Sequence, residues 1–151
     1  IGSGSDIATI SLNDFINTKV LSTRRAKIDP LEGVIELIRA TNACARRNYG
    51  VGGYFNIVII DGSKTGQDTY KEIMDHNARL ASEIVFACDF DMLSREDGFK
   101  LIDELIFQDK NFEEVEEEFC AKSADVKKMN LLLRGYKIER IFNNHKNKNG
   151  H

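Results

Sequence analysis

Apolar residues recur along this chain at several spacings, and each spacing predicts a different element. The clearest is helical: Leu31, Val34, Ile35, Ile38 and Ala45 fall on one face of a 3.6-residue period. Asp29 is placed to cap that helix, Pro30 suits its first position, and Glu32 completes a capping box three residues after Asp29. Gly50, Gly52 and Gly53 predict its end near Asn48, because they favour conformations that a helix interior disfavours. Tyr54 to Ile60 is an almost continuous apolar run, the signature of a strand buried on both faces. One such strand does not make a sheet. Either further strands come from another polypeptide or from a portion of the protein not present in this chain, or the strand count is too low. From Ser5 to about Ile16 the spacing of Ile7, Ile10, Leu12, Phe15 and Ile16 is only partly helical, and helix and strand both stay open on pattern alone. A polar, basic connector follows from Asn17 to Lys27.

Downstream of Asp61 the pattern turns helical. Tyr70, Ile73, Met74, Asn77 and Leu80 predict a helix from Asp68 to about Ser82, which Glu83 to Cys88 either extend or leave as a strand. Ser94 caps a helix carrying Phe99, Ile102, Leu105 and Ile106, and Asn111 caps another that turns Val115 and Phe119 inward. A last helix is expected from about Ala124 to Asn143, then a polar, disordered tail over 144–151.

The 151 residues fit one domain, or one with a small appendage, and 42% hydrophobic content allows a real core. A net charge of −3 and a pI of about 5.7 give no field-level reason for nucleic acid or an anionic membrane as partner. No apolar run approaches the roughly 18 residues that span a bilayer, and no leader pattern is visible, so a soluble cytoplasmic protein is expected. Cys44, Cys88 and Cys120 are odd in number and never in Cys-x-x-Cys spacing, which indicates neither a disulfide framework nor a zinc site. Cys44 reads as a small core residue beside a helical stripe. No metal and no cofactor is expected.

Four stretches in order carry a resemblance: the Gly2-Ser3-Gly4-Ser5 turn, the helix from Asp29, the segment Asn48-Tyr49-Gly50-Val51-Gly52-Gly53, and the apolar run Phe55 to Asp61. Together they resemble the second half of a proteasome β-type N-terminal-nucleophile hydrolase. That resemblance favours helix for the segment opening at Ser5, with Ser5 as N-cap and Asp6 in the first turn. It implies an α+β fold, in which 1–64 form part of a four-layer αββα core, 65–143 a mainly helical appendage and 144–151 a tail. The N-terminal half of the fold, in the same or a separate chain, would be the first partner.

By that resemblance Ser3 would stand beside an N-terminal threonine, with Gly2 and Gly4 supplying the backbone around it. Successive N–H groups at a Gly-rich turn opening a helix suit an oxyanion site. The competing reading of the tetrad is a plain capped turn. At the Gly-Gly segment the chain departs from the family pattern Asp-x-x-Ser-Gly-Gly, since Asn48 replaces the acid and Val51 the serine. Asn48 can orient a hydroxyl or amine but takes no proton. Ordinary peptide hydrolysis is therefore disfavoured. The chain most resembles, in this altered pattern and its added helical region, the connectases of methanogenic archaea, proteasome-like protein ligases that join a peptide to an amine. The implied activity is sequence-specific peptide ligation on a peptide or protein substrate, through a nucleophile that Ile1 does not offer. The alternative is a non-catalytic assembly or binding subunit.

Weaker signals point to little. Gly62-Ser63-Lys64-Thr65 lacks the spacing of a phosphate loop, Asp89-Phe90-Asp91 lacks a full set of oxygen ligands, and His76, His145 and His151 lack metal spacing. The run Glu113, Glu114, Glu116, Glu117 and Glu118 predicts an exposed acidic face, suited to a basic peptide.

Overall fold

The computed structural model describes residues 4–23, 28–47 and 55–123. Five helices and one hairpin follow in the order α1 (Ser5–Thr23), α2 (Pro30–Arg47), β1 (Ile57–Ile60), β2 (Tyr70–Ile73), α3 (Asp75–Asp89), α4 (Arg95–Ile106) and α5 (Phe112–Lys122). The last helix and tail expected beyond Ser123 lie outside the described residues, as do Gly2, Ser3 and Asn48.

The core is organised around α3. From Ala78 to Cys88 every residue is buried, so α3 has no solvent face over that stretch and must be covered on all sides. It packs against α2, α4 and α5, while α2 also meets α1 and α4, and α4 meets α5. One apolar cluster runs through these elements, from Val34, Ile35 and Ile38 through Ile57 and Ile73 to Leu101, Ile102, Val115 and Phe119. It includes residues on both sides of position 64. Leu31 and Ile59 pack against it from the edge.

Local signals place most helix starts. The Asp29 carboxylate accepts the Glu32 N–H at 3.2 Å, with Pro30 opening α2 as expected. Ser94 accepts the Asp97 N–H at 3.0 Å, and Asn111 accepts the Glu113 N–H at 2.8 Å. Each satisfies an orphan donor of a first turn. Polar locks set the register between helices. The Asn42 Nδ2 donates to the Ser82 carbonyl at 3.2 Å, and the Ser82 hydroxyl donates back to Asn42 Oδ1 at 2.6 Å, both buried between α2 and α3. Where α4 approaches α3, Gly98 leaves the space that the Cys88 sulfur fills. At the far end of α2 the Arg46 guanidinium lies 5.1 and 5.3 Å from the stacked rings of Phe86 and Phe90.

The four-layer αββα core is not what these residues build. Among the described residues the sheet has two strands only, antiparallel, and the rest of the core is helix on helix. The physical reason is the length of apolar sequence committed to strand. Four residues of β1 and four of β2 form one small apolar face, whereas α2 to α5 supply enough apolar stripes to close around α3.

Three local expectations change with it. The run at Ile57 to Ile60 is buried on one face, not both: Ile57 is in the core, while Val58 and Ile60 are 44% and 72% exposed. Asp68 to Met74 is not helical; a 3-10 turn at Gly66–Thr69 leads into β2, whose pairing Ile57↔Ile73, Val58↔Glu72, Ile59↔Lys71 and Ile60↔Tyr70 puts Ile73 on the buried face. Finally, α1 continues to Thr23, through most of the stretch expected as a connector. It starts one residue earlier than a Ser5 cap would place it, because the Gly4 carbonyl accepts the Ala8 N–H at 3.3 Å.

Candidate functional site

Of the residues expected to line a site, Gly4 alone is described. It is buried, and its carbonyl accepts both the Ala8 N–H at 3.3 Å and the Cys44 thiol at 2.9 Å. The second bond joins the start of α1 to α2 and confirms Cys44 as a buried packing residue. Gly4 therefore works here as an acceptor in a helix junction. Its described contacts show no donor aimed at a reacting oxygen. The expected roles of Gly2, Ser3 and Asn48 concern positions outside the described residues.

Two adjoining clefts, about 520 and 530 Å³, open beside the hairpin. The first lies between the start of α2, the end of β1 and the end of α4, and is lined by Asp29, Leu31, Ile59, Ile60, Asp61, Asp103 and Phe107. The second shares Ile59, Asp61 and Phe107 and continues to Lys64, Tyr70, Lys71 and Asp109. The floor is apolar and the rim is acidic. Four carboxylates, from Asp29, Asp61, Asp103 and Asp109, face two ammonium groups, from Lys64 and Lys71, a difference of two negative charges.

Each rim group is already held in place. The Asp61 carboxylate accepts the Ser63 N–H at 3.0 Å and the Ser63 hydroxyl at 2.6 Å, and Lys64 stands 3.6 Å away. Those two bonds from Ser63, followed by the Lys64 charge, hold its pKa below the usual carboxylate range. The same bonds explain Gly62-Ser63-Lys64 as a turn after β1. Asp103 accepts from Gln108 Nε2 at 2.5 Å, and Lys71 donates to Asp109 at 2.5 Å. The arrangement is a preset charged rim around an apolar floor, suited to recognition by shape and charge.

The clefts merge with a second feature. Outer-face residues Val58, Ile60 and Tyr70, with Met74 beyond the strand, are all exposed, and Ile60 and Tyr70 also line the clefts. Pattern reading missed the site because β2 was taken for helix.

Nucleophilic chemistry finds little support among the described side chains. Burial pushes the Cys88 thiol up to about 11 and the Cys120 thiol up to about 12, so neither is a thiolate near neutral pH. His76 is exposed and packs its ring against Phe112 at 5.7 Å. Asp89 pairs with Arg39 at 2.8 Å, which accounts for half of the Asp89-Phe90-Asp91 signal. The expected acidic face on α5 is divided. Glu113, Glu114 and Glu117 are exposed; Glu118 bridges Lys100, Lys110 and Lys122; Glu116 is buried. Among the described residues no group of His, Cys, Asp and Glu could hold a metal ion, and no helix is long and apolar enough to cross a membrane. Comparisons with protein-family models, with curated proteins and with solved structures give no match.

Proposed function

We propose that this chain is a polypeptide-binding component, which holds an extended, apolar and basic segment of another polypeptide against the β1–β2 hairpin. One observation carries the reading: β1 is apolar on both faces, yet among the described residues only one of them is covered. A two-stranded sheet with bare edges and an apolar outer face is marginal by itself and is completed by an added strand. The acidic rim at Asp29, Asp61, Asp103 and Asp109 then selects for Lys or Arg on the incoming segment.

The test is a selection of displayed ten-residue peptides against the full chain, followed by titration of a synthetic winner by fluorescence anisotropy. Enriched sequences should alternate apolar residues and carry net positive charge. Binding should weaken with rising salt and be lost in a Val58→Lys, Ile60→Lys double variant. Enrichment of acidic peptides, or binding indifferent to the double variant, would remove the hairpin from the account.

Peptide transfer of the connectase type is a second reading. It is favoured by the order of the Gly4 turn, two packed helices and an apolar strand, which the structure retains. Its nucleophile and acid would have to come from outside the described residues. The same selected peptide separates the two readings, because transfer leaves a covalent conjugate in the mass spectrum and simple binding leaves the two masses unchanged.

A further inference from the structure

Three charged side chains meet inside the helical bundle, away from the clefts. Arg79 and Glu83 lie one turn apart on α3, with Nε to Oε1 at 3.2 Å, and Glu116 on α5 stands 3.7 Å from the other end of the same guanidinium. All three are buried, Glu83 completely. Among the described residues, two carboxylates thus meet one guanidinium in the buried interior. Among the described residues neither oxygen of Glu83 accepts a hydrogen bond. An ionised carboxylate so placed is disfavoured, and a protonated one loses little.

We propose that Arg79, Glu83 and Glu116 form a proton-sensitive latch between α3 and α5, closed while Glu83 holds a proton and loosened when that proton leaves. Among the described residues, the charges acting on Glu83 are those of Arg79 on its own helix and Glu116 on α5. Cys120, also on α5, faces the pair, but its thiol stays neutral because burial and the nearby Glu116 and Glu83 push it up to about 12. Charged groups on the other helices packed against α3 are engaged elsewhere: Arg39 on α2 with Glu36 and Asp89, and Glu104 on α4 with Lys100 and Lys110. His76, on the exposed start of α3, lies against the Phe112 ring of α5.

Burial is the largest influence on Glu83 and, with Glu116, raises its pKa from 4.5 to about 7 against the opposing pull of Arg79. The closed state therefore binds a proton more tightly than an open state in which Glu83 meets water. Its extra stability is full below pH 4.5 and is lost as the pH rises to about 7. For these two values the opening constant should rise about 30-fold between about pH 5.5 and 8.5.

Hydrogen exchange of the α5 amides in the full chain, corrected for intrinsic rates and referenced to α4, measures that opening. Protection of α5 should fall about 30-fold over the interval in the wild type and stay level in Glu83→Gln. A pH-independent wild type, or the same fall in Glu83→Gln, overturns the proposal. Infrared titration of the native chain decides independently if Glu83→Gln does not fold. A carboxylic-acid band that disappears near pH 7 supports the latch, and no such band at pH 6 removes it.

Discussion

Helix α3 and strand β1 are both rich in apolar residues, and they treat them in opposite ways. Along α3 every position from Ala78 to Cys88 is enclosed by neighbours from α2, α4 and α5. Along β1, Ile57 is enclosed while Val58 and Ile60 meet solvent. The difference lies in the partners that the chain supplies. A helix with apolar residues all round is satisfied by other amphipathic helices, of which this chain has several. A strand with apolar residues on both faces needs a second layer, and among the described residues the hairpin has a layer on one side only. The α3 region should accordingly behave as a finished core and the hairpin as an interface awaiting a partner.

The largest effect should come from the finished side. Phe119 is fully buried where α5 closes over α3, and Phe119→Ala should cost about 3–5 kcal/mol in denaturant unfolding through lost transfer energy and a residual cavity. A loss below about 1 kcal/mol would mean that α5 is not part of the core, and the comparison would fail on that side.

Gly98→Ala tests how tightly the same region is packed. A Cβ at position 98 would fall on the Cys88 sulfur, with Leu93 and Ile84 side chains 3.6 and 3.7 Å away to limit any retreat. Overpacking of this kind typically costs about 1–3 kcal/mol. An unchanged melting temperature would show that α4 can slide along α3. Ser94→Ala is a smaller perturbation at the same helix. Loss of the hydroxyl that accepts the Asp97 N–H should cost about 1 kcal/mol, measurable by thermal unfolding, and Ser94→Asp should restore most of it.

What was legible in the sequence follows the same division. Caps are local, so Asp29, Ser94 and Asn111 announced their helices correctly. The stripe of α2 was legible because one face of a helix is a property of its own residues, although its continuation ran through Ala40, Asn42 and Cys44 and left Ala45 half-buried. Strand β2 was not legible, since Tyr70, Ile73 and Met74 fit a helical spacing better than an alternating one, and pairing with β1 overrides it. Burial of Glu116 was hidden for a related reason. Within a run of glutamates nothing local distinguishes the one that faces Arg79 on another helix. For the site, the sequence named Gly4, whose carbonyl meets Cys44 at a helix junction, while the Asp61 and Asp103 rim joins residues far apart in sequence.

The smallest effect on stability should come from the hairpin, and there the comparison is most sharply tested. Val58 and Ile60 point to the outer face, already largely hydrated, so replacing both with Lys removes little buried area from the folded chain. Exposed substitutions of this kind change stability by about 0.5 kcal/mol or less, against the several kcal/mol expected at Phe119. On an edge hairpin, Lys also discourages uncontrolled strand pairing, so solubility should rise. The double variant should therefore keep the wild-type melting temperature while losing the peptide that the hairpin selects. A substantial drop in melting temperature would show instead that the outer face is already covered within this chain, and the hairpin would then belong with α3 as part of a finished core.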